Sequence, residues 1–446
     1  MTKNRKNTSL NKNFYNFQKK IAVIGLGYVG LPLAVEFGKK FQTIGYDLNK
    51  LRILSLKKFN DNTAELTCKQ IKAANYLSFT NNENDISNCD IFIIAVPTPI
   101  NLKKIPDLSL LKKASSIVGK YLNHNDIVIY ESTVYPGATE EICVPILEEK
   151  SKLSCKKDGV NCNQNFFGCG YSPERINPGD KKKTIKDIVK ITSALDKKTA
   201  KTIDKLYKQI IIAGTHLVEN VKIAEAAKII ENTQRDVNIA LVNEFSMIFK
   251  KMKIDTQQVL NAASTKWNFL PFEPGLVGGH CIGVDPYYLS FKAKKLGHNP
   301  KLLLSGREIN DNMGDYISKL IVNGMKKNDI KINGAKVIIF GLAFKENCKD
   351  IRNSGVFSLN QKLKSVGCKV SIFDPVANNI SKNDLKNIKI EKTPKKNFYD
   401  CIILAVKHDY FRINYPIAKI KGILKNKHYI FDLKSSIDLS HSNDRL

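Results

Sequence analysis

The sequence predicts an α/β protein with two Rossmann-like doubly wound domains joined by a long helical middle region. Three observations carry this expectation. A strand, glycine turn and helix open the chain after residue 19. An unbroken amphipathic stretch occupies its centre, and a second series of short apolar runs begins after Asn333-Gly334. The 446 residues, 43% of them hydrophobic, are also too many for one core.

The opening run Lys20-Ile21-Ala22-Val23-Ile24 has the pattern of a buried strand. It leads into Gly25-Leu26-Gly27-Tyr28-Val29-Gly30 and then a helical stretch from Leu31 to Lys39. The glycines permit a tight turn and close backbone approach, while the helix N-terminus offers amide donors to a pyrophosphate. Gly25, Gly27, Tyr28, Val29 and Gly30 are therefore candidates for cofactor binding. The second strand, Thr43 to Tyr46, ends in Asp47, whose carboxylate can accept from both ribose hydroxyls and would repel a 2′-phosphate. NAD is thus the expected cofactor, with Arg52 a further candidate contact.

Two more strands, Asp90 to Val96 and Asp126 to Tyr130, run into Pro97-Thr98-Pro99 and Glu131-Ser132-Thr133. Ligands of doubly wound sheets bind along this carboxyl edge, which makes Thr98 and Thr133 candidates for cofactor or substrate contact.

From Val218 to Met252 no strong helix breaker occurs, and apolar residues recur at Ile223, Ala227, Ile230, Val237, Leu241, Phe245, Ile248 and Met252. That spacing predicts one helix extending about 50 Å, long enough to link two domains and to offer a dimer interface. Lys228 and Asn232 are four apart, hence on one face. The glycine-rich segment Phe272 to Pro286 then surrounds a single thiol, Cys281, with Asp285 four residues on. A thiol can add to an aldehyde; the thiohemiacetal retains a hydridic C–H, and a second oxidation gives a thioester that water cleaves. Lysine and asparagine suit the oxyanion that each step develops.

The last series comprises strands at Lys336 to Phe340, Val370 to Phe373 ending at Asp374, Cys401 to Val406, and Tyr429 to Leu433. Its first strand leads into Gly341-Leu342-Ala343-Phe344-Lys345 without a GxGxxG, so a second dinucleotide site is not expected. The expected divisions are a polar tail at 1–19, an NAD-binding domain at 20–215, a central helical domain at 216–325 and a C-terminal domain at 326–446.

Composition narrows the partners. The formal charge of +29 is spread along the chain and accompanies no recognition motif, which disfavours nucleic acid. No run approaches the ~20 apolar residues of a membrane helix. The Asn- and Lys-rich first nineteen residues lack a secretory apolar region, so a cytoplasmic protein with reduced thiols is expected. Cys155, Cys162 and Cys169 are evenly spaced but lack the close pairs of zinc sites, and no metal is expected.

Several motifs together resemble the UDP-glucose/GDP-mannose dehydrogenase family, the NAD-dependent four-electron nucleotide-sugar 6-dehydrogenases. They are GLGYVGLPLA at Gly25, ESTVYPG at Glu131, SPERINPGD at Ser172, KIIENTQRDVNIALVNE at Lys228 and PGLVGGHCIGVDPYYL at Pro274, in the family's order over roughly residues 20 to 435. The resemblance implies that Cys281 is the nucleophile and that Lys228 and Asn232 stabilise oxyanions. Asp285 and Thr133 would hold and activate a water. Glu174 would serve thioester hydrolysis, as base or as orienting group. Lys345 and Arg352 would meet the phosphates or uridine of a UDP-sugar, with Lys228, Arg307, Phe272 and Gly275 as further substrate contacts.

The cysteine tract is similar to that of enzymes acting on UDP-N-acetylglucosamine or UDP-N-acetylgalactosamine, which implies a uronic acid made for a surface polysaccharide; the long helix makes a homodimer or dimer-based oligomer the expected assembly. UDP-glucose and UDP-N-acetylmannosamine are the alternative substrates. A two-electron 3-hydroxyacid-type dehydrogenase and a basic binding protein are the more distant alternatives, and neither accounts for both ends of the chain.

Overall fold

The computed structural model describes residues 19–63, 65–160, 165–176, 183–279, 282–377 and 388–446. The chain divides into two compact units, residues 1–98 with 107–228, and residues 99–106 with 229–446.

In the first unit the described residues form nine strands: β1 (Ile21–Ile24), β2 (Thr43–Tyr46), β3 (Leu77–Thr80), β4 (Ile91–Ile94), β5 (Ile127–Tyr130), β6 (Ser154–Cys155), β7 (Phe166–Tyr171), β8 (Lys190–Ala194) and β9 (Thr215–Leu217). Their order is β3-β2-β1-β4-β5-β7-β8-β9, with β6 paired to β7. All pairs are parallel except β7 with β8. Runs such as Ile91-Phe92-Ile93-Ile94 are apolar at every position because both sheet faces are covered, as parallel sheets require. Strand β1 lies between β2 and β4, and Ile24 is in register with Tyr46 and Ile94. The chain thus reverses its direction of travel across the sheet at β1, and the glycine turn sits at this switch point.

The second unit contains β10 (Lys336–Phe340), β11 (Lys369–Phe373), β12 (Tyr399–Leu404), β13 (Leu424–Asp432) and β14 (Asp444–Arg445), all parallel in the order β11-β10-β12-β13-β14. Alternate residues of β10 enter two different cores. Val337 and Ile339 pack with Met313, Ile317 and Ile321 of the helix Lys301–Lys327 and with Leu359 of the helix Gly355–Ser365. Ile338 and Phe340 pack with Phe411, Tyr415 and Ile420. The predicted fold class is therefore the observed one.

The long helix runs from Val221 to Met252, three residues shorter at its start than expected, and spans about 48 Å. Its packed face carries many polar groups beside the buried Val221, Ala224, Ile229, Ala240 and Val242. Glu225, Lys228, Asn232, Thr233, Asp236, Asn243 and Ser246 are buried, whereas Ile223, Ile230, Leu241, Phe245, Ile248 and Met252 are exposed. The apolar stripe visible in the sequence faces outward.

Candidate active site

The glycine turn meets the three demands of a dinucleotide site. Gly25 has φ +91°, a left-handed conformation costly for other residues, and its N–H donates to the Tyr46 carbonyl at 2.8 Å. A Cβ on Gly30 would lie 1.8 Å from the Gly25 carbonyl oxygen, so only glycine lets the helix Gly30–Gly38 come this close. A Cβ on Gly27 would meet nothing within 4 Å. That open face, beside half-buried Tyr28 and Val29 and at a helix N-terminus, fits a pyrophosphate.

Asp47 stands at the end of β2, where its carboxylate accepts from the N–H groups of Leu26 and Asn49, both at 2.9 Å. The side chain is only partly buried and retains lone pairs for a ribose. Arg52 is nearly buried: its Nε donates to the Leu26 carbonyl at 3.0 Å and its guanidinium pairs with Asp61 at 2.7 Å. It braces the glycine turn from within the protein. Thr98 Oγ1 donates to the Thr133 carbonyl at 2.7 Å, bringing these two candidates together at the carboxyl edge. NAD, when bound here, supplies the hydride acceptor.

Glu174 lies just beyond β7, buried. Its Oε1 accepts from the backbone N–H of Arg175 at 2.6 Å and from that of Ile176. Lys190 Nζ lies 3.8 Å from its Oε2 and 2.5 Å from Glu131 Oε2. Burial pushes the Glu131 carboxyl up to about 7, against the opposing pull of Lys190. Neither Lys190 nor Glu131 stood out in the sequence as part of the site.

Lys228 and Asn232 are both buried on the long helix, one turn apart. Lys228 is the last residue of the first unit, and Asn232 belongs to the second. There Asn232 Nδ2 donates to Asp285 Oδ2 at 2.6 Å, so two residues 53 positions apart in the chain form one buried polar pair. Asp285 opens the helix Asp285–Lys295 and carries its negative charge at the favourable N-terminal end.

The cysteine loop is anchored by a residue that sequence reasoning missed. Asn243, fully buried on the long helix, accepts from Gly275 N–H at 2.7 Å, donates to the Gly275 carbonyl at 3.1 Å and donates to Asn310 Oδ1 at 2.8 Å. Phe272 is half-buried beside this anchor. Further along, Gly279 N–H donates to the Arg352 carbonyl at 3.2 Å, and Asn353 Nδ2 donates to the Gly279 carbonyl at 3.3 Å. A Cβ on Gly278 would fall 2.8 Å from the Asn353 carbonyl oxygen. These glycines therefore let the loop pack against residues 344–354. A cavity of about 430 Å³ opens beside Leu276, Val277, Asn353 and Ser354. Cys281 itself lies outside the described residues, as do residues 1–18.

Within the second unit, Lys345 is half-buried with its ammonium 5.5 Å from the Phe344 ring centroid, and Arg352 is exposed and held by Asp350 at 2.6 Å. Arg307 is buried, its guanidinium engaged by Asp236 at 2.5 Å and by Asp311. The loop after β10 repeats the first turn in outline. Gly341 has φ +98°, and Leu342 N–H donates to Asp374 at 2.6 Å, as Leu26 N–H does to Asp47. Asp374, however, is sealed: it also accepts from Ala343, Val376 and Ala377 and faces His408 Nε2 at 3.3 Å. Asn347 N–H donates to His408 Nδ1 at 2.9 Å, which leaves the ring proton on Nε2, facing Asp374.

The chain belongs to the UDP-glucose/GDP-mannose dehydrogenase family, matching its NAD binding domain at residues 19–211, its central domain at 222–312 and its UDP binding domain at 338–439. It is an NAD-dependent UDP-sugar dehydrogenase. It is 52% identical over 427 residues to the UDP-N-acetyl-D-glucosamine 6-dehydrogenase of Salmonella typhi, covering 96% of this chain and 98% of that one. Identity to the enzyme of the same name from Pseudomonas aeruginosa is 51%, over 96% of this chain and 99% of the relative. Among solved structures, UDP-D-ManNAc dehydrogenase from Pyrococcus horikoshii superposes with a TM-score of 0.81 at 30% identity, covering 94% of this chain and 96% of the other.

Proposed function

We propose that this enzyme oxidises carbon 6 of UDP-N-acetylglucosamine twice, giving the uronic acid for a surface polysaccharide. UDP-N-acetylgalactosamine is the competing epimer. The observation that carries the reading is the identity of about one half, over nearly the whole length of each chain, to two UDP-N-acetyl-D-glucosamine 6-dehydrogenases. The buried Asn232–Asp285 pair supports the chemistry, because it keeps an amide donor and a carboxylate together away from bulk water.

In this reading the first oxidation sends a hydride to NAD and the hydroxyl proton to solvent. The Cys281 thiol adds to the aldehyde, and loss of a second hydride to a second NAD leaves a thioester. Lys228 and the Asn232 amide stabilise the oxyanion at each stage. Water, held by Asp285 and Thr133, then releases the carboxylate with help from Glu174. Asp47 and the glycine turn hold the cofactor, while Lys345 and Arg352, with Arg307, Phe272 and Gly275, bind the nucleotide sugar. We further propose a cytoplasmic homodimer that covers the exposed apolar stripe of the long helix.

The test is the NADH formed per mole of each UDP-sugar consumed, with Cys281→Ser alongside. Two NADH per UDP-N-acetylglucosamine, lost in the variant, is the expected outcome. One NADH per sugar from a fully active variant would overturn the thioester route.

A further inference from the structure

Behind Glu174 lies a buried cluster assembled from four separate segments. Glu131 follows β5, Pro173 and Glu174 follow β7, Lys190 begins β8, and Tyr207 comes from the helix Lys197–Lys208. The side chains of Glu131 and Lys190 are almost wholly out of contact with solvent, and that of Glu174 is 8% exposed. Lys190 Nζ donates to Glu131 at 2.5 Å and to the Pro173 carbonyl at 3.0 Å, with the Tyr207 ring centroid 5.2 Å away. Tyr207 OH donates to the other oxygen of Glu131. Glu174 Oε2 is buried without a hydrogen-bond partner among the described residues, and 3.8 Å separates it from the Lys190 ammonium.

A buried lysine keeps its charge most readily beside an anion, and two carboxylates in a dry site are accommodated by a cation or by a shared proton. Among the described residues, Lys190 is the one cation within 4 Å of either carboxylate. Lys190 touches both ends of the arrangement: it holds the peptide carbonyl immediately before Glu174 and also offers the nearest positive charge to its free oxygen.

We infer that Lys190, supported by Glu131, is a positioning residue for Glu174, keeping that carboxylate aimed for the hydrolytic half of the reaction. This rests on the reading of Glu174 given above. In that step the water oxygen bonds to the thioester carbon, the C–S bond breaks, sulfur leaves as thiolate, and the water proton passes to Glu174 and on to solvent. Without Lys190, the Pro173 carbonyl and the Glu174 carboxylate lose the group that both approach, and the acceptor for that proton is no longer held in place.

The experiment compares Lys190→Met, Lys190→Arg and Glu174→Gln in three readouts: the pre-steady-state NADH burst, steady-state kcat and KM, and covalent sugar adduct by intact-protein mass. Lys190→Met is expected to keep the burst and both KM values within about twofold, to lower kcat about 100-fold, the scale of a lost proton-transfer catalyst, and to accumulate the acyl-enzyme. Lys190→Arg should restore most of kcat. Should Lys190→Met not fold, the double variant Lys190→Met with Glu131→Gln, which removes both charges of the ion pair, is expected to show the same accumulation. Normal turnover in Lys190→Met, or in the double variant where that one does not fold, overturns the inference, as does an equal slowing of burst and turnover. Absence of any adduct in Glu174→Gln would instead bring down the parent reading. An adduct there but none in Lys190→Met brings down only the role of Lys190.

Discussion

Gly27→Ala isolates the contribution of the glycine turn to NAD binding, because the added methyl meets no protein atom within 4 Å. Folding should be unaffected, yet the methyl would occupy the open face where a phosphate must approach the backbone. Loss of one charge-assisted hydrogen bond is worth about 1.5–3 kcal/mol. At 1.4 kcal/mol per factor of ten, the NAD dissociation constant should rise about 10- to 100-fold. Gly30→Ala is the contrast. Its Cβ would stand 1.8 Å from the Gly25 carbonyl oxygen. An ordinary carbon–oxygen contact is about 3.3 Å, so turn and helix would have to separate by about 1.5 Å. Calorimetric titration with NAD and thermal melts of the free protein read the two effects separately. Gly27→Ala should melt with the parent protein and bind weakly, whereas Gly30→Ala should melt several degrees lower. If Gly27→Ala bound NAD within twofold of the parent protein, the pyrophosphate could not lie against this glycine.

Asn243→Ala would leave the Gly275 N–H and carbonyl without their buried partner, at about 1–3 kcal/mol for each group; protease cleavage within residues 270–280 should accelerate while NAD binding is retained. Asp374 gives a pH test: burial raises its pKa, but the hydrogen bond from His408 and the amides of Leu342 and Ala343 outweigh this and hold it below the ordinary value. The ionised form is favoured in the folded protein, so the stability it confers is present above about pH 4 and disappears as pH falls through its lowered folded-state value. Urea unfolding of Asp374→Asn should accordingly show a deficit at pH 7 that narrows below pH 4, and a deficit independent of pH would contradict the assignment. Replacing Leu241, Phe245 and Ile248 by Glu, Gln and Lys should convert a dimer to monomer in light scattering without lowering helicity, whereas an unchanged mass would exclude this face as the interface.

Much of the architecture was legible because its signals are local. The runs Ile21–Ile24, Thr43–Tyr46 and Lys336–Phe340 are continuous and mostly buried, and each is followed by a glycine or an aspartate. Strands β3 and β9 were less visible: Leu77-Ser78-Phe79-Thr80 mixes buried and exposed positions, and Thr215-His216-Leu217 is short and largely exposed. The direction of the apolar stripe on the long helix could not be read, since periodicity reveals a stripe but not what covers it. Likewise, the partners of Arg52, Asn243 and Arg307 come from distant positions, so their side chains appear in sequence as ordinary polar residues. Motif resemblance gave Asn232 and Asp285 separate roles and did not pair them; their 2.6 Å contact depends on a fold that returns the chain after 53 residues.

The sealed Asp374 limits how the second nucleotide-binding unit could be redesigned. Engineering a dinucleotide site there by importing glycines alone would still leave a carboxylate occupied by four amides and an imidazole. To free it for a ribose, a designer would have to rebuild the turns after β10 and β11 and find new acceptors for five donors. In the first unit a change of cofactor preference could begin with Asp47 alone, whose carboxylate is anchored by two amides. The same acidic position is thus an adjustable contact in one half of the molecule and a permanent fastening in the other.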